Sequence, residues 1–92
     1  LSTKWQIRET DQVLRQFKKL GDQQRKRYRE AIKTLASSDD PRKLGTFKRG
    51  KKYAAYYYEL GRSFRIVYQV INEEMIILLL DVGDHKEVYG KD

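Results

Sequence analysis

The stretch Asp81-Val82-Gly83-Asp84-His85-Lys86-Glu87-Val88-Tyr89 gathers an imidazole, an ammonium and a phenol into one short segment. Those three groups suit the metal-independent cleavage of RNA, in which the 2′-hydroxyl attacks the neighbouring phosphate. That reaction needs a group to take the hydroxyl proton, a group to protonate the departing 5′ oxygen, and cations around a phosphorane-like transition state. An imidazole near its free pKa serves either proton role at neutral pH. Fixed guanidinium or ammonium groups stabilise the charge that develops on the phosphate. His85 is the single histidine of the chain, and the plain alternative is an ordinary surface residue. Tyr89 reads equally as a hydrophobic anchor.

Something must hold such a tail against cations, and the preceding segments read as strands. Ser63 to Ile71 alternates, with Phe64, Ile66, Tyr68 and Val70 on one face and Arg65, Val67, Gln69 and Ile71 on the other. Met75 to Val82 is apolar on both faces and is expected to be central and covered on both sides. Tyr53 to Leu60 reads as a further strand, joined by a tight turn at Gly61-Arg62. A slightly longer turn follows at Asn72-Glu73-Glu74. Gly83 ends the last strand and lets the chain turn. On this reading Arg65 and Gln69 share a partly sheltered site, with Arg65 pairing to Glu59 or Asp81 as the structural alternative.

Upstream, Lys4 to Arg8 alternates around Trp5 and Ile7 as a short first strand. Thr10 is placed to cap a helix from about Asp11 to Leu20, with Val13, Leu14, Phe17 and Leu20 on its inner face. Gly21 stops that helix and Asp22 caps a second one running to about Ser37, whose inner face holds Tyr28, Ala31, Ile32 and Leu35. So short a connection predicts an antiparallel hairpin. Ser38-Asp39-Asp40-Pro41 breaks the pattern. The stretch from Arg42 to Lys52 carries Arg42, Lys43, Lys48, Arg49, Lys51 and Lys52 without an acid and reads as an exposed, irregular basic loop. Phosphate contact is its functional reading and a solvated face its plain one. The expected fold is α+β: an N-terminal strand, then a helical hairpin packed on one face of a mainly antiparallel sheet.

Composition bounds the partners. With 92 residues the chain fits one domain, residues 1–92, with a single core. The absence of cysteine excludes disulfides, thiol catalysis and Cys-based zinc sites, and one histidine cannot build a His-rich metal site. Neither a metal nor a cofactor is expected. No segment reads as a leader and no apolar run is long enough to span a bilayer, so no membrane partner and a cytoplasmic location are expected. A net charge of +7 favours a polyanion, either nucleic acid or ribosome, or an acidic protein that neutralises the chain.

The segment Arg62-Ser63-Phe64-Arg65-Ile66-Val67-Tyr68-Gln69-Val70-Ile71-Asn72-Glu73-Glu74 resembles the RelE toxin pattern of an aromatic residue followed by Arg, two apolar residues and Tyr. Val82-Gly83 followed by Glu87-Val88-Tyr89 resembles the C-terminal signature of the same RelE/ParE superfamily. The order of elements matches as well. This resemblance implies a type II toxin that cleaves the messenger RNA codon in the ribosomal A site and is silenced by a wrapping antitoxin, RelB-like and acidic. It implies a transition-state role for Arg65 and an RNA-orienting role for Tyr89. His85 falls where RelE carries an arginine in the turn after the glycine. Lys48, Arg49, Lys51, Lys52 and Lys86 are the expected RNA contacts. The places of two strand lysines of RelE, one of them a proton acceptor, hold Tyr56 and Tyr58. That base is therefore missing or supplied by His85, Lys51 or Lys52. A ParE-like toxin acting on DNA gyrase and a noncatalytic nucleic-acid-binding module are the competing readings. The absence of a recognisable DNA-reading motif counts against the latter.

Overall fold

The computed structural model describes residues 4–50, 54–60 and 64–84. Strand β1 (Gln6–Glu9) leads into helices α1 (Asp11–Lys18) and α2 (Asp22–Ser37). Strands β2 (Thr46–Arg49), β3 (Ala54–Glu59), β4 (Phe64–Ile71) and β5 (Ile76–Asp84) follow. They form one sheet in the order β1-β5-β4-β3-β2, antiparallel except for the parallel pair β1–β5. The α+β expectation holds, with two differences. The basic stretch is not irregular throughout: a 3₁₀ turn at Pro41–Lys43 leads into β2, an edge strand against β3. The central strand is β4, and β5 lies beside it.

Thr10 caps α1 as its sequence suggests, its hydroxyl oxygen accepting from the Val13 N–H at 3.4 Å. The same hydroxyl donates to the Leu79 carbonyl at 2.9 Å, tying the helix start to β5. Asp22 is the first residue of α2 and not its cap; Gly21 takes that place and donates its N–H to Gln24 Oε1. Arg25 reaches back to the end of α1, donating to the carbonyls of Phe17 and Lys18 at 3.2 and 2.8 Å. A cation at a helix C-terminus satisfies orphan carbonyls and complements the helix dipole.

Both helices lie on one side of the sheet. Val13, Tyr28, Ala31 and Leu35 from the helices meet Trp5, Phe64, Ile66, Tyr68, Ile77, Leu79 and Val82 in one buried cluster. Phe17, Leu20 and Ile32 pack against it partly buried, while Leu14, expected inside, is 44% exposed. An eight-residue helix lying on a sheet buries a narrow stripe, and Leu14 falls beside it. Tyr28 donates its hydroxyl to Glu9 at 2.6 Å. Tyr68 donates to the Pro41 carbonyl at 2.7 Å, so both phenols buried on the helix side have partners, as buried polar groups require. The Tyr68 hydroxyl passes so close to Gly45 that a Cβ there would lie 2.6 Å from it. No helix among the described residues is long and apolar enough to cross a membrane.

Candidate active site

The face of the sheet away from the helices carries different chemistry. Ala55, Tyr57 and Val67 form a small buried cluster there, with Leu80 packed against it. Strand alternation puts Arg65 and Gln69 on the side of Val67, opposite Ile66 and Tyr68. Arg65 is held in a row with Glu59 on β3 and Gly83 on β5. Its side chain is 11% exposed, with a guanidinium nitrogen 3.5 Å from the Glu59 carboxylate, which is 66% exposed. Of the two acids that could pair with Arg65, Glu59 does so. Asp81 is 1% exposed and accepts from Gln16 Nε2 at 2.5 Å.

Lys48 approaches the same face from β2, its ammonium 5.7 Å from the centre of the Tyr57 ring, within reach of a cation–π attraction. By register Arg8, beside Leu78, joins it from β1. The open face thus carries Arg8, Lys48 and Arg65, with the carboxylate of Glu59 beside Arg65. Arg49 is exposed on β2 but alternates to the other side, with Phe47. His85, Lys86, Tyr89, Lys51 and Lys52 lie outside the described residues.

Tyr56 and Tyr58 stand with the helices, not with Arg65. Both pack against the main cluster, Tyr56 stacking on Tyr68 at 5.7 Å and meeting Phe47 at 5.2 Å. The reason is register. A two-residue turn at Gly61-Arg62 implies Tyr58 opposite Arg65, whereas the observed ladder pairs Tyr58 with Ile66 and Glu59 with Arg65. One residue of slip exchanges the two faces of a strand. Tyr57 and Glu59 are therefore the β3 side chains that accompany Arg65; the sequence weighs Tyr56, Tyr57 and Tyr58 alike, as strand residues of which one could touch a base, because three consecutive tyrosines offer no apolar–polar contrast.

The end of β5 departs from simple alternation. Val67 pairs with Asp81 and Tyr68 with Leu79, so Leu80 is an extra residue in the ladder. This is a β-bulge, a feature that occurs beside active sites and re-aims side chains. Before it Ile77 and Leu79 face the helices; beyond it Val82 does. Gly83 follows with φ 155°, a conformation that L side chains rarely adopt. A cavity of about 370 Å³ opens where this strand end meets the helices, lined by Gln16, Lys19, Leu20, Phe64 and Gly83 among others. Among the described residues no group of three or more His, Cys, Asp or Glu could hold a metal ion.

Residues 7–89 match the family model described as the ParE toxin of the type II toxin–antitoxin system parDE. The chain belongs to the ParE toxin family. The solved structures similar to this ParE-family chain place it in the wider RelE/ParE superfamily. A double mutant of Escherichia coli RelE in the free state is 28% identical with a TM-score of 0.74, over 95% of this chain and 92% of that one. The same mutant in complex with a RelB antitoxin peptide gives 25% identity and a TM-score of 0.68, over 96% of this chain and 93% of that one. The toxin of the archaeal RelE–RelB complex from Pyrococcus horikoshii shares the fold, with 19% identity and a TM-score of 0.70 over 97% and 99% of the two chains. No curated protein matches the sequence.

Proposed function

We propose that this type II toxin is a metal-independent endoribonuclease that cleaves messenger RNA in the ribosomal A site through attack of the RNA 2′-hydroxyl. The observation that carries the reading is the placing of Arg65. A guanidinium fixed on a sheet face, beside the strand end that leads to His85 and Tyr89, is suited to meet charge developing on a phosphate. Preorganised donors of this kind stabilise a transition state without reorganising. In this reading Arg65 binds the phosphorane-like oxygens, His85 transfers a proton, and Tyr89 orients the RNA. Lys48, Arg49, Lys51, Lys52 and Lys86 contact phosphates. The described β3 residues on this face offer no lysine, so the proton acceptor falls to His85, Lys51 or Lys52. The ribosome as target sets the action in the cytoplasm.

An acidic, RelB-like antitoxin is the expected regulator. It would cover the face around Arg65 or displace the segment carrying His85 and Tyr89. Charge attraction should speed its association, and apolar contacts should hold the complex.

A second reading is gyrase inhibition. The matching family model bears the ParE name, and Arg65 lies in an ion pair with Glu59, as a purely structural arginine would. Purified ribosomes translating a defined message, with cleavage mapped by primer extension, separate the two. Codon-positioned cuts support the endonuclease. Intact RNA together with gyrase-dependent DNA breaks supports the inhibitor.

A further inference from the structure

Helix α1 touches the end of β5 through one side chain in an unusual manner. Strand β1 stops at Glu9, paired with Leu79, whereas β5 continues to Asp84. Beyond Leu79 the outer edge of β5 therefore meets no strand among the described residues. Gln16 takes that place. Its Oε1 accepts from the Val82 N–H at 2.9 Å, and its Nε2 donates to Asp81 Oδ1 at 2.5 Å. Two turns earlier on the same helix, Thr10 donates to the Leu79 carbonyl. The extra residue Leu80 is thus held from both sides by α1. A buried backbone N–H and a buried carboxylate both need partners, and one amide side chain serves the two.

This clamp bears on Arg65 through parity. With the bulge in place Val82 enters the main core and Gly83, which has no side chain, stands beside Arg65. Were the bulge to slip out by one residue, the faces beyond it would exchange. Val82 would then stand on the open face beside the guanidinium.

We infer that Gln16 is a positioning residue for the Arg65 site: its amide locks the Leu80–Asp81 bulge and so keeps Gly83 next to Arg65. The catalytic part of this inference rests on the endonuclease reading; the lock itself does not. The test uses the full chain and two readouts. Amide hydrogen exchange at Val82 and the Arg65 Nε–H resonance report the lock, and single-turnover cleavage on programmed ribosomes reports the chemistry. Gln16→Ala is expected to speed Val82 exchange and to shift the Arg65 resonance. Cleavage should slow by up to about 10²-fold with ribosome affinity retained, the loss typical of a small misplacement of a reacting group. Gln16→Glu should behave the same way, because a carboxylate at position 16 repels Asp81. Combining it with Asp81→Asn reverses donor and acceptor and should restore slow exchange, the Arg65 resonance and cleavage.

Slow Val82 exchange and an unmoved Arg65 resonance in Gln16→Ala would overturn the lock. Moved resonances with unchanged cleavage, against an active parent, would overturn the positioning role. If Gln16→Ala fails to fold, the exchanged pair decides: failure to recover slow exchange overturns the proposal. A parent that never cuts RNA, alongside resonances that move and recover as stated, sinks the endonuclease reading and leaves the lock standing.

Discussion

The two faces of the sheet use the same strands for opposite ends. On the helix side, Phe64, Ile66 and Tyr68 of β4 disappear into a core with Val13, Tyr28 and Leu35. On the other side, Arg65 and Gln69 of the same strand stand with Lys48, Tyr57 and Glu59, a sparse mixture of cations and rings around a small apolar cluster. The first face holds the fold together. The second has too little apolar surface to do so and retains charges that a core would exclude. One strand can serve both needs because its side chains alternate.

The comparison is broken most sharply by paired substitutions. Leu35→Ala, on the helix side, should cost about 2–5 kcal/mol of stability by leaving a cavity, read by denaturant unfolding. Arg65→Ala should cost less stability than Leu35→Ala, because the Glu59 carboxylate it pairs with is mostly solvated. RNA cleavage should nevertheless fall by about 10²–10³, as for the loss of one preorganised donor. Equal effects of the two substitutions on stability would erase the distinction between the faces.

Gly45→Ala should come next, at about 1–3 kcal/mol, the usual range for overpacking. The added methyl would meet the Tyr68 hydroxyl, which is held by the Pro41 carbonyl. Gly45→Ala combined with Tyr68→Phe should recover part of that loss. Full stability of Gly45→Ala alone would show that the approach is not tight.

The helix side also predicts a pH dependence. Burial first, then the hydrogen bond and charge of Glu9, push the Tyr28 hydroxyl far above its ordinary value of 10.0. Burial does the same for Tyr68. Above that ordinary value the unfolded chain releases protons that the folded chain keeps. Stability is therefore complete below pH 10 and declines as pH rises past it, by at most about 1.4 kcal/mol per pH unit for each tyrosine. Tyr28→Phe should reduce the alkaline slope without abolishing it, since Tyr68 remains. An unchanged slope would remove Tyr28 from this account.

The smallest effect per residue is expected in the basic stretch from Arg42 to Lys52. Neutralising Lys48, Arg49, Lys51 and Lys52 together should flatten the salt dependence of ribosome binding, because fewer counterions are released. Identical salt slopes for variant and parent would leave this stretch a solvated face.

Much of the helix side was legible in the linear chain. The period of Tyr28, Ala31 and Leu35, the Thr10 cap and the alternation of Phe64 to Tyr68 each follow from local rules. Leu14 misled because helical spacing gives the direction of a stripe but not its width. The open face was legible only in part. Alternation placed Arg65 opposite Phe64 and Ile66, yet which β3 residues stand beside it depended on a register that no single strand encodes.

What the sequence determined by itself was the two helices and four of the five described strands (β2 emerged only from its pairing with β3), their order, the layer in which each β4 side chain lies, and a basic, cysteine-free chain with a RelE/ParE signature. These are local or compositional properties, set by steric preferences and hydrophobic period along a few residues. The tertiary structure alone decided that β4 is central, that Tyr57 and Glu59 accompany Arg65 while Tyr56 and Tyr58 turn inward, and that a bulge at Leu80 brings Gly83 beside the guanidinium. Those outcomes depend on hydrogen bonds between segments far apart in the chain, such as Gln16 to Asp81 and Val82. Pairing of that kind is chosen by the whole fold, because one residue of slip in either hairpin would exchange the core and the candidate site.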